Sequence, residues 1–82
     1  MDTFVDELKS SGVLDGDAAV QERAKLVLLE ALNAYRNDFV RVKLEQKIAK
    51  AIGDQERIKT VEGIVAKIVQ QIELVEQEIE KL

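Results

Sequence analysis

The stretch that decides the fold is Gly53-Asp54-Gln55-Glu56-Arg57-Ile58-Lys59-Thr60-Val61-Glu62-Gly63-Ile64-Val65-Ala66-Lys67-Ile68-Val69-Gln70-Gln71-Ile72, continuing to Leu82. Ile58, Val65, Ile72 and Ile79 fall seven apart, and Val61, Ile68, Val75 and Leu82 fall three after each of them. This 3-4 alternation keeps one apolar stripe facing a neighbour along a whole helix. Ile64 and Val69 flank the stripe and widen it beyond what a two-stranded coiled coil needs. Leu is also missing from nearly the whole seam, whereas parallel dimers favour it at one of the two seam positions. β-branched residues at both positions shift the preference toward three or four strands.

Gly53-Asp54 punctuates the chain just before this repeat. Glycine takes the left-handed conformation that ends a helix, and aspartate caps the start of the next one. The spacing therefore predicts a helix over 54–82 that turns back tightly on its predecessor as an αα-hairpin. The competing reading is one helix running straight through Gly53, since an interior glycine costs only ~1 kcal/mol.

Upstream, residues 18–52 contain no Pro or Gly, and a long helix is expected there. Leu28, Leu32, Tyr35, Phe39 and Val42 form its seam, and Val40, Leu44, Ile48 and Ile52 make a second row. Asn37-Asp38 is a candidate break, and Phe39 to Leu44 alternates partly like a strand. Earlier still, Thr3 and Asp6 have the spacing of a capping box and Gly12 that of a C-terminal stop, which predicts a short helix over 4–11 docked through Phe4 and Leu8. Val13 to Asp17 is a turn, with Asp17 the expected cap of the long helix. The Asp15 and Asp17 pair lacks the further ligands of a calcium loop.

Composition narrows the function classes. An 82-residue chain is one domain, near the lower size limit for a self-sufficient core. It has no Cys, no His and no Pro, and its aromatics are Phe4, Tyr35 and Phe39. The core must be aliphatic, and a small aliphatic domain without staples usually gains burial by oligomerising. Without Cys or His, thiolate and imidazole metal sites and the usual acid–base catalyst are lost. The hydroxyls of Thr3, Ser10, Ser11 and Thr60 have no evident base, and no glycine-rich phosphate loop is present. No catalytic residue, cofactor or metal is therefore expected.

The apolar run from Leu26 to Leu29 is far short of the roughly 20 residues of a membrane span. The N-terminal residues do not have the pattern of a cleaved signal. Those features, with the lack of cysteine, are those of a soluble, cytoplasmic protein.

Charge is unevenly spread. Residues 1–17 hold five acids and one base, 18–53 seven bases and four acids, and 54–82 seven acids and four bases. Arg36, Arg41, Lys43, Lys47 and Lys50 are the one candidate anion-facing strip. A nucleic-acid-binding accessory or regulatory role is thus the alternative reading, opposed by the acidic net charge of −4.

Taken together, the sequence predicts an all-α chain: a short helix followed by a long antiparallel hairpin that completes a four-helix bundle by dimerising. The expected role is a non-catalytic interaction module, an assembly, adaptor, scaffold or small-chaperone component. Its partners would be itself, as dimer or tetramer, or helices of a larger protein. The expected contact residues are Ile58, Val61, Ile64, Val65, Ile68, Val69, Ile72, Val75, Ile79 and Leu82, with Leu74 close by.

Overall fold

The computed structural model describes residues 3–82, which form three helices: α1 (Phe4–Ser11), α2 (Asp17–Ile52) and α3 (Gln55–Glu80). Helix α2 runs antiparallel to α3 along nearly its whole length, and α1 packs on α2 at the open end of the hairpin. The result is a rod of 54 × 21 × 21 Å.

The turn at Gly53 rules out the straight-through helix. Gly53 has φ +74°, and its N–H bonds back to Lys50 O at 3.3 Å while Asp54 N bonds to Ala49 O at 3.1 Å. These are the two bonds of a Schellman motif, and they satisfy carbonyls that would otherwise be orphaned at the helix end. The Asp54 carboxylate then accepts from Arg57 N at 3.1 Å, capping α3 one residue later. Two residues therefore reverse the chain, and Glu45 pairs with Arg57 across the reversal.

Helix α1 starts as its capping box requires. Asp6 N donates to Thr3 Oγ1 at 3.1 Å, Thr3 N donates to Asp6 Oδ2 at 3.2 Å, and Gly12 closes the helix at φ +70°. Phe4 and Leu8 line one shallow crevice with Leu14, Ala24 and Val27, and Phe4 lines another with Leu28 and Val75. The Phe4 N–H donates to Glu78 Oε2 at 2.9 Å, tying α1 to α3 as well.

The start of α2 differs from expectation. Asp17 is already helical, the cap position is taken by Gly16 at φ +82°, and no side chain caps the helix. An acid in the first turn still complements the positive helix end, so Asp17 contributes through the dipole rather than through a cap bond. Asn37-Asp38 causes no break, and the 36 residues of α2 are continuous.

The core is a thin seam. Val20, Ala24, Leu28, Leu32 and Ala49 of α2 and Val61 and Ile68 of α3 are buried, with Tyr35, Phe39, Val42, Val65, Ile72 and Val75 half-buried between them. No polar or charged side chain is buried among the described residues. Two helices bury only one stripe each, so each half-buried aliphatic gains only part of the ~1.5–3 kcal/mol available from full burial.

Candidate functional site

The heptad positions of α3 face α2. Val61 and Ile68 are buried, and Ile58, Val65, Ile72, Val75, Ile79 and Leu82 are half-buried along the same groove. These residues, read from the sequence as a contact surface for another chain, are used first inside the hairpin. Of the flanking residues, Val69 is half-buried, while Ile64 and Leu74 are exposed.

The larger unpartnered surface lies on α2. Its second row is exposed throughout: Val40 at 68 %, Leu44 at 58 %, Ile48 at 41 % and Ile52 at 64 %. Leu26 and Leu29 are exposed nearer the N-terminal end. The reason is rotation. At 3.6 residues per turn, Val40 stands about 100° round the helix from Phe39 and so already on the face turned away from α3, and steps of four carry the row from there by about 40° each toward the flank at Ile52. The series Leu26, Leu29, Asn33, Asn37, Val40, Leu44 and Ile48, spaced by threes and fours, makes one continuous outer stripe. Helix α2 thus carries apolar residues on two opposite faces, the outer one interrupted at its middle by Asn33 and Asn37. Sequence reading found the row but placed it beside the seam.

The basic strip is exposed and divided. Arg36, Arg41, Lys43, Lys47 and Lys50 are all solvent-facing, and Lys43, Lys47 and Lys50 line a shallow groove with Leu44 and Gln46. On helical geometry Arg36, Lys43, Lys47 and Lys50 edge one side of the outer stripe and Arg41 the other. Arg36 also reaches Glu76 of α3 at 4.0 Å, and Lys43 donates to Gln46 at 2.9 Å.

Among acids, Glu78 accepts from Phe4 N and lies 3.5 Å from Lys81. The acidity of Asp6 is clearly displaced. Bonds from the Thr3 backbone N–H, and then its side chain, hold the Asp6 carboxyl below the ordinary 3.8. That is a helix-capping effect at an exposed position and does not mark a reactive centre. The crevices between helices are shallow and open; the one at the open end is lined by Ala18, Gln21, Lys25, Ile79 and Leu82. Among the described residues, no helix is long and apolar enough to cross a membrane.

Compared with known protein families, curated proteins and solved structures, the chain matches none.

Proposed function

We propose that this protein is a non-catalytic protein–protein interaction module, a helical hairpin that assembles with copies of itself and serves as an assembly, adaptor or scaffold element. The observation that carries this reading is the outer stripe of α2, whose large aliphatic side chains stand in water along a helix that carries apolar residues on both faces. A four-helix arrangement of two hairpins supplies the missing cover. The small half-buried core points the same way, because association adds burial that one chain lacks. Light scattering coupled to size exclusion tests the reading. The apparent mass should rise from monomer toward dimer with concentration. A strictly monomeric mass up to millimolar protein would contradict it.

A second reading is supported by the exposure of all five bases of the strip, four of them along one flank of α2. In this reading the chain is a nucleic-acid-binding accessory protein whose lysines and arginines neutralise phosphates. Retardation of random-sequence DNA or RNA at low salt, abolished by Lys43→Glu with Lys47→Glu, is its expected result. Unretarded nucleic acid at micromolar protein would remove it.

A further inference from the structure

We infer that the outer stripe of α2 is the self-assembly face, and that a second copy lies on it antiparallel, crossing at the level of Tyr35. The inference rests on the self-assembly reading and specifies its surface and orientation.

Charge decides the orientation. Residues 36–67, the turn end of the rod, hold eight bases and five acids, whereas residues 3–35 and 68–82, which make the open end, hold ten acids and four bases. Rods laid side by side in parallel would set the basic ends together, with Arg41 on one edge of the stripe facing the partner's Lys43 and Lys47 on the other. Laid antiparallel, each basic end meets an acidic one, which suppresses the wrong orientation and fixes register.

The residue pattern agrees with one register. When the crossing lies at Tyr35, Leu26 meets the partner's Leu44, Leu29 meets the partner's Val40 and Asn33 meets the partner's Asn37. The same register sets Glu30 beside the partner's Arg41 on one edge of the stripe, and Glu22 beside the partner's Lys47 on the other. A two-fold axis between the helices makes each contact occur twice. The central asparagines can hydrogen-bond each other, as polar residues within an apolar seam do when they set register. Leu26 at 61 % and Leu44 at 58 % exposure are free to take part, and the Glu22, Glu30, Arg41 and Lys47 side chains are exposed.

Size sets the strength. A stripe about 30 Å long and one helix, about 10 Å, wide falls short of the ~800 Å² per partner of a stable interface. The pair is therefore a reversible dimer that weakens as salt rises.

The chain has no cysteine, so introduced ones report contacts cleanly. Leu26→Cys and Leu44→Cys proteins are prepared separately, checked for native helicity by circular dichroism, and oxidised alone and mixed. The expected result is a disulfide-linked mixed dimer as the main product of the mixture. Either variant alone should link at least about tenfold more slowly, because its two cysteines would sit about 27 Å apart along the helix, far beyond disulfide reach. Leu26→Cys linking to itself as fast as to Leu44→Cys would overturn the antiparallel arrangement. Light scattering of the unmodified chain separates the two levels. A dimer mass without preferential mixed linking overturns this face and orientation and leaves self-assembly standing. A monomer at every concentration overturns both.

Discussion

Gly53 and Gly63 show how the same residue type acts in opposite senses at two places. Gly53 sits at φ +74° in the hairpin turn, where an L side chain is strained. Gly63 sits inside α3 with nothing within 4 Å of where a Cβ would stand. It is therefore an isolated surface glycine of the hairpin, with no other helix packed against it. Gly53→Ala should destabilise the chain by about 1 kcal/mol, and Gly63→Ala should stabilise it by about 0.5–1 kcal/mol. Urea unfolding followed by circular dichroism reads both signs. Asp6 gives a second test. Its folded carboxyl is held below 3.8, so the contribution of the capping box is present above the ordinary aspartate range and is lost as pH falls through the depressed value. An NMR titration should find the Asp6 midpoint below 3.8, moving toward it in Thr3→Ala. An unchanged midpoint would show that the Thr3 hydroxyl does not act on it.

Among the elements, α3 was legible in the sequence and α2 only in part. The heptad from Ile58 to Leu82 has one apolar face, so its orientation follows from spacing alone, and Gly53-Asp54 marks the reversal by its turn chemistry. Helix α2 carries apolar residues on two faces. The spacing put Leu28, Leu32, Tyr35, Phe39 and Val42 on the seam, where they are buried or half-buried, but only the groove made with α3 adds Ala49 to the inside and leaves Leu44 outside. The cap of α2 was missed for a different reason. Gly16 and Asp17 both favour helix starts, and the backbone places the boundary one residue earlier than side-chain preference suggests. The candidate surface was legible as residues and illegible as a face. The seam residues of α3 carry fold stability first. Ile68, at 7 % exposure, should cost about 2–5 kcal/mol when replaced by Ala. Thermal unfolding monitored by helicity would register the loss as a lowered midpoint. A midpoint equal to the parent's would show that the α2–α3 groove is not the source of stability.

At the scale of the whole molecule, the chain is a two-helix rod with a clip at one end, and its charge is as lopsided as its burial. In the proposed self-assembly the acidic open end and basic turn end would supply direction, and the outer stripe of α2 attraction. Stability of a domain this size is small, of order 4–12 kcal/mol by its length, so the proposed association would couple to folding. Raising salt should lower the dimer fraction without lowering the helicity of the monomer, since the exposed Glu22, Glu30, Arg41 and Lys47 are screened while the hairpin seam is apolar. Sedimentation velocity across ionic strength reads the first quantity and circular dichroism the second.

Sedimentation equilibrium of the parent chain beside Leu44→Glu tests whether the outward face of α2 is covered by another copy. Leu44 points away from α3 and is exposed in the single chain, so the change leaves the hairpin intact. The parent should form a concentration-dependent dimer and the variant a monomer of equal helicity. Identical association of the two proteins would contradict it.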